Sequence, residues 1–403
     1  MSQGDNDVRS ESTVSNSIYN HSRRRFLTIS STAGLLSIAG CLGGDEDDET
    51  STEVDPDSEP EKPDSITMRA WGGNWQESIE NSIAETFTEE TGIEVRYDNT
   101  NFQVIQNQVM EAIDQDREPP VNVVWTQSLM GFSAFQQGYT QNLNPDLIPA
   151  YENMIGPQIP DEHIPDNDHI PYVAMYGYTY PINYNSDQLE QNDQELPESW
   201  SDWWDSQYEN SIGLYENATG LFRPLAHVAD VDLRPDMDQD EMEPMWEMLE
   251  ELSPNVGLVG SDPPLTTGLT DGEISLTHFL PNNIANQKDE GEPVDWYLPP
   301  EGSTYQTDGF YVPGGQNESE AYWSQVFMNY AMRDDVQQEW FRQLQSPMLN
   351  QNTSVPEEIS WMADDSAFPT TQEQIEDLWH IDPMTYARHR QYMVSRFNEI
   401  IGT

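Results

Sequence analysis

The sequence predicts an α/β protein of two doubly wound lobes, and three observations predict it. Residues 66–95 read as a strand, a helix and a second strand in one unit. Further strand-like and amphipathic helical stretches follow as far as the C-terminus. At 403 residues the chain exceeds what one compact core usually accommodates, so two lobes are the natural arrangement. Ligands in such sheets collect at the carboxyl ends of strands, which makes the loop Trp71–Trp75 the first place to look for a site.

The elements begin after a polar stretch, residues 1–21. Ser22-Arg23-Arg24-Arg25-Phe26-Leu27 resembles the twin-arginine export motif, and the apolar stretch to Ala39 is short for a membrane span. Ile38-Ala39-Gly40-Cys41 resembles a lipobox, which implies cleavage before Cys41 and lipidation of it. The alternative is a plain N-terminal anchor helix with an incidental cysteine. Residues 1–41 are expected to be this signal. Residues 42–65, rich in Asp, Glu, Ser, Thr and Pro, are expected to be a disordered acidic tether.

Ile66–Trp71 suits a strand buried on both faces, and Gly72-Gly73 breaks it. Asn74 with Glu77 fits an N-cap and its capping-box partner. Ile79, Ile83 and Phe87 repeat every fourth residue and give the helix one apolar face. Gly92 suits a left-handed C-terminal cap, and Ile93, Val95 and Tyr97 alternate as the next strand. Ile105, Val109 and Ile113 predict a helix that Pro119-Pro120 ends, and Val121–Trp125 a buried strand. A short helix is expected over 133–138, a loop-rich stretch over 151–171, and a strand-like run over 172–184. The segment 197–204 reads as a loop entering a helical turn. Strands are expected at 212–215, 272–277 and 294–298, and helices at 241–252, 317–332, 334–344 and 382–401.

Composition excludes several classes of function. Sixteen Lys and Arg face 73 Asp and Glu, a net charge of -57, and only Lys62 and Lys288 are lysines. With no basic patch to neutralise phosphates, nucleic acid is excluded as a partner. Excess carboxylate with almost no lysine is the composition of a protein kept soluble in very high salt, where the screening length is about 3 Å. One cysteine leaves no disulfide framework and no thiolate metal site. His163 and His169 stand near Asp161, Glu162, Asp166 and Asp168, but their spacing matches no ligand pattern, so no metal or cofactor is expected. There is no Gly-x-Ser-x-Gly elbow and no His-Glu-x-x-His, which reads against an enzyme. A secreted hydrolase working through paired carboxylates is the less favoured alternative.

Several blocks, taken in order, resemble one family. They are ITMRAWGGNWQESI, FTEETGIEV, PPVNVVWTQ, QQGYTQNL, YPINYNSDQL, PESWSDWW, GEISL, GEPVDWYLPPEG and YQTDGFYVPGG. The resemblance is to the extracellular solute-binding lipoproteins of ABC importers, in particular the spermidine/putrescine-binding-like group. It implies a periplasmic-binding-protein fold of the second type, two α/β lobes joined by crossing strands that close on a ligand. One lobe would hold 66–178 and 308–350, the other 179–307 and 351–403. It also implies a monomer, lipid-anchored on the extracellular face of the membrane, that passes a small solute to an ABC permease and catalyses nothing.

The resemblance places Asp308 where the family keeps an amine-binding aspartate, while Trp71 and Trp75 supply rings for contact with a ligand or for packing under the first helix. Two positions depart from the polyamine pattern: Gly220 stands where a second amine-binding glutamate is kept, and Leu280 where a wall indole is. Glu216 is the candidate replacement for the lost carboxylate. From the residues themselves, Gly72-Gly73 before a helix can present N–H groups to an anion, and Gln127 ends a strand as a polar wall. Tyr178 and Tyr184 flank the crossover between lobes, and His278 follows a strand as a candidate neutral donor. Trp200, Trp203 and Trp204 read as structural. The ligand expected first is a polyamine-like cation; an anionic organic solute or a sugar is the alternative.

Overall fold

The computed structural model of the protein describes Thr52, residues 54–156 and residues 170–402. The export motif, Cys41, His163 and His169 lie outside the described residues. Ten strands form two five-stranded sheets. In chain order they are β1 (Ser65–Arg69), β2 (Glu94–Asp98), β3 (Val123–Gln127), β4 (Val173–Thr179), β5 (Ile182–Asn185), β6 (Ile212–Tyr215), β7 (Val256–Gly260), β8 (Leu276–His278), β9 (Val294–Tyr297) and β10 (Tyr305–Tyr311). The first sheet runs β2-β1-β3-β10-β4 and the second β7-β6-β8-β5-β9. Each sheet has a parallel half, β2-β1-β3 and β7-β6-β8, followed by antiparallel strands.

The chain passes between the sheets twice, from β4 to β5 and from β9 to β10. The strand-like run 172–184 is two strands in different sheets. Pro181, which has no N–H to donate, stands in the break between them. This break is what lets one continuous apolar run serve two lobes.

The opening unit forms with two differences from expectation. The helix starts at Gly73 with Gly72 as its N-cap, and no side chain caps it, so Asn74 is not the cap. Gly72 (φ 84) and Gly73 (φ 54) both adopt left-handed backbone, which turns the chain into the helix earlier than a side-chain cap at Asn74 would. The helix also contains a π segment, Glu80–Ala84, between Gly73–Ile79 and Glu85–Thr91. Ile79, Ile83 and Phe87 are nonetheless all fully buried, and Gly92 (φ 81) ends the helix. β3 and β4 are buried almost throughout, as strands covered on both faces must be.

Two segments depart from the expected domain limits. The end of the expected tether is laid on the first lobe. Val54 is buried in its core, Asn144 Nδ2 donates to the Val54 carbonyl at 3.2 Å, Ser319 Oγ donates to the Glu61 carbonyl at 2.6 Å, and Lys62 sits 5.0 Å from the Trp323 ring centre. Apolar and ring contacts outweigh the polar composition there. The C-terminal stretch 351–403 does not belong to the second lobe alone. Its last helix, Pro383–Ile401, buries Tyr386, Met393 and Phe397 with Trp246 in the second core. The segment before it touches both sheets: the Phe368 ring meets Trp296 of β9 (5.7 Å), Thr179 Oγ1 of β4 donates to the Ala367 carbonyl (2.7 Å), and Ile375 and Leu378 pack with Tyr305 and Tyr311 of β10. Among the described residues no helix is long and apolar enough to cross a membrane.

Candidate functional site

A cavity of about 630 Å³ lies between the two sheets, a size suited to a small organic ligand. The first lobe supplies the loop after β1 (Trp71–Trp75), the end of β3 (Thr126, Gln127), and Tyr176, Tyr178 and Asp308 from the antiparallel pair β4 and β10. The second lobe supplies Tyr215, Glu216, Asn217 and Thr219 after β6, Ser261–Pro263 after β7, and Leu280 after β8. These are carboxyl ends of parallel strands in both sheets, where backbone groups at strand ends are free to meet a ligand.

Asp308 is buried in the wall of the cleft and held by three side-chain donors. It is 4% exposed and accepts from Trp71 Nε1 (3.0 Å), Tyr176 OH (3.1 Å) and Tyr178 OH (2.5 Å). Burial pushes its pKa up to about 6, against these three donors and the Arg69 guanidinium, which favour the charged form. Arg69, itself buried, donates through Nη1 to the Trp125 carbonyl (2.7 Å) and through Nε to that of Thr100 (3.3 Å). Its guanidinium lies 3.9 Å from the Trp71 ring centre. Burial lowers its pKa to about 10, so it stays cationic at neutral pH behind the carboxylate.

The aromatic wall follows from strand periodicity. Tyr176, Tyr178 and Tyr180 alternate and so share one face of the chain as it leaves β4. Trp75 stacks on Tyr176 (6.2 Å, 22°), Tyr176 meets Tyr178 (6.0 Å), Tyr178 meets Tyr180 (5.7 Å), and Tyr180 meets Tyr215 (5.9 Å). A ladder of rings thus runs from the first lobe to the second along the crossover. Gly177 on the opposite face has no room for a side chain, because a Cβ there would stand 1.7 Å from Tyr305 Oη.

A second carboxylate, Asp262, lines the cavity from the first turn of the helix Asp262–Thr270. Asn283 Nδ2 donates to it at 2.7 Å. Burial raises its pKa to about 6, and the nearby charge of Asp308 adds to the shift. Two carboxylates lining one ring-lined cavity can hold positive charge through charge-assisted hydrogen bonds and cation–π contact.

Residues 82–370 match the family of bacterial extracellular solute-binding proteins. The chain belongs to that family. The spermidine/putrescine-binding periplasmic protein of Salmonella typhimurium (strain LT2) is 26% identical over 272 residues, which cover 66% of this chain and 73% of that protein. Among solved structures, the spermidine/putrescine ABC transporter substrate-binding protein PotD of Streptococcus pneumoniae superposes with a TM-score of 0.64 at 19% identity, covering 84% of this chain and 100% of that one. The Atu4243-GABA receptor gives 0.66 at 18% identity, covering 84% and 97%. The two-sheet α/β architecture is the type II periplasmic-binding-protein fold.

Within this solute-binding protein, Trp71, Gly72, Gly73, Trp75, Gln127, Tyr178, Glu216 and Asp308 all line the cavity. Tyr184 and His278 do not. Tyr184 lies on β5, opposite Leu276 and Asp295, about 13 Å of strand beyond Tyr180, and packs against the second core. His278 is fully buried one layer behind Tyr180 and Tyr215 (ring centres 6.4 and 6.1 Å). Its Nε2 lies 3.1 Å from the Thr219 carbonyl, and burial lowers its pKa to about 4, so the ring is neutral and braces the loop instead of facing the cleft.

Glu216 is exposed at the rim of that loop. The loop itself is strained, with Asn217 (φ 59) and Ala218 (φ 55) both left-handed. Gly220 (φ 78) lies against Tyr180, where a Cβ would be 2.6 Å from the ring, so Tyr180 occupies the space a side chain there would need. Sequence reasoning missed Asp262, Tyr180, Tyr215, Arg69 and Arg390. Ser261-Asp262-Pro263 carried a helix-start signal, yet β7 before it was not recognised as a strand. Among the described residues, no group of three His, Cys, Asp or Glu is placed to hold a metal ion.

Proposed function

We propose that this protein captures a small organic cation of the polyamine kind between its lobes and delivers it to an ABC importer. It is held at the outer face of the membrane by a lipid on Cys41 after twin-arginine export, and it acts as a monomer in very high salt without performing chemistry. The observation that carries the ligand class is that Asp308, Asp262 and the ring ladder line one cavity. An ammonium group between the rings satisfies both the quadrupoles and the carboxylates, and lobe closure strengthens both by excluding water. The named ligands of the Salmonella relative, spermidine and putrescine, are cations of this sort.

The test is a thermal-shift and calorimetric panel in multimolar KCl, setting spermidine, putrescine and cadaverine against carboxylates, phosphonates and oligosaccharides. Amines are expected to raise the melting temperature, and Asp308→Asn to remove that rise. A rise with a purely anionic compound or a sugar, and none with amines, overturns the ligand class. Replacement of Cys41 by Ser is expected to release the protein into the medium.

A further inference from the structure

The carboxylates and rings account for an amine, but they leave one charged group of the cavity unexplained. Arg390, on the helix Pro383–Ile401, lines the same cleft as Asp262 and Glu216. Its Nε donates to Tyr386 Oη one turn earlier, at 3.0 Å, which holds the base of the guanidinium and leaves both Nη groups for other acceptors. Arg96, Arg333, Arg342 and Arg396 each reach a carboxylate at the surface. Arg69, Arg223, Arg388 and Arg390 have no ion pair among the described residues, and of these four Arg390 is the one that lines the cavity.

The helix that carries Arg390 also packs on both lobes. It meets the helix Ser128–Gln136 of the first lobe and the turn Glu216–Ala218 of the second, and Leu129 and Met130 of the first lobe rest against the second core. Arg390 therefore stands where the lobes come together around a ligand. A diamine with one end at Asp308 would bring its second cation into a cavity that already holds this guanidinium. A ligand ending in a carboxylate would meet a planar fork of free N–H donors that matches it in shape and charge.

We infer that the ligand of this cleft is amphoteric: a linear ω-amino carboxylate whose ammonium lies at Asp308 among the rings and whose carboxylate is taken by the Arg390 guanidinium. This rests on the reading of the cleft as a cation site, keeps the ammonium end of that reading, and puts a carboxylate where a polyamine carries its second amine. Arg390 is then the residue that discriminates between an amino acid and a diamine of the same length.

The experiment compares δ-aminovalerate with cadaverine, which share a five-carbon chain, by calorimetry on the full protein in concentrated KCl. The wild type is expected to bind δ-aminovalerate more tightly. Arg390→Gln is expected to weaken that binding by about 10- to 100-fold and to tighten cadaverine, reversing the preference. Arg390→Lys, which keeps the charge and loses the fork, is expected to fall between the two. It also serves as the readout if the glutamine variant does not fold. Tighter binding of cadaverine by the wild type, with neither variant changing the ratio, overturns the amphoteric ligand and leaves the cation site standing. Binding of neither compound, nor of any polyamine, overturns the cation site and this inference with it.

Discussion

At the scale of single residues, Asp308 shows how burial and hydrogen bonding compete in one group. Desolvation raises its pKa while Trp71, Tyr176, Tyr178 and Arg69 oppose the rise, and the outcome is about 6. The sign of the consequence follows from proton linkage. Between about pH 4 and 6 the folded protein binds this proton more tightly than the unfolded chain, so ligand-free stability is expected to fall as pH rises through that range. Asp262 works in the same direction. A chemical denaturation series from pH 4 to 7 in fixed KCl should show this slope, and Asp308→Asn should flatten it. Cation affinity runs the opposite way, because only the ionised carboxylate attracts an ammonium. Affinity should therefore rise as pH is raised through about 6, and a pH-independent dissociation constant would refute the role given to these two groups. Asp308 was legible in the sequence only through its motif, and Asp262 only as the start of a helix, since nothing local marks it as a cleft group among 73 acids.

At the scale of elements, the crossing strand and the loops that meet it decide the shape of the cleft. Gly220 occupies a left-handed position against Tyr180. Gly220→Ala is expected to cost about 1–3 kcal/mol in strain and overlap, and to weaken ligand binding by displacing Tyr180. Thermal melting with and without ligand checks both. A glutamate at this position, on the pattern of the polyamine binders, would meet the same ring, so the departure noted in the sequence has a steric cause. Helix caps give a plainer case. Asn317 accepts from the Glu320 N–H at 3.0 Å to start the helix Glu318–Ala331. Asn317→Ala should cost about 1 kcal/mol without touching ligand affinity. Caps of this kind are readable because they are local. The π segment at Glu80–Ala84 and the glycine cap at Gly72 were not readable, because helix periodicity over a few turns does not register one inserted residue.

At the scale of the whole molecule, net charge governs how stability responds to salt. The described ion pairs lie on the surface, and pairs of that kind contribute at most about 1 kcal/mol each. Repulsion among the excess carboxylates is larger in sum and is screened by salt. Raising KCl from about 0.1 M to several molar is therefore expected to raise the melting temperature, with screening of repulsion outweighing loss of the ion pairs. An unchanged or lower melting temperature would count against a high-salt habitat. The segment from Val54 to Lys62 lies over the first lobe and adds to its core.

The sequence by itself determined the class of the fold, the opening β-α-β unit, most of the amphipathic helices, the acidic surface and the family. These depend on periodicities, local caps, composition and an ordered motif set, all of which act over short spans of chain. Tertiary structure alone decided that Tyr184 and His278 turn away from the cleft, and that Asp262 and Arg390 turn into it. It also decided that residues 355–378 bridge both lobes. Each of these depends on which distant strands and helices meet. A side chain's place in a cleft between two sheets is set by those neighbours, not by the residues beside it in the chain.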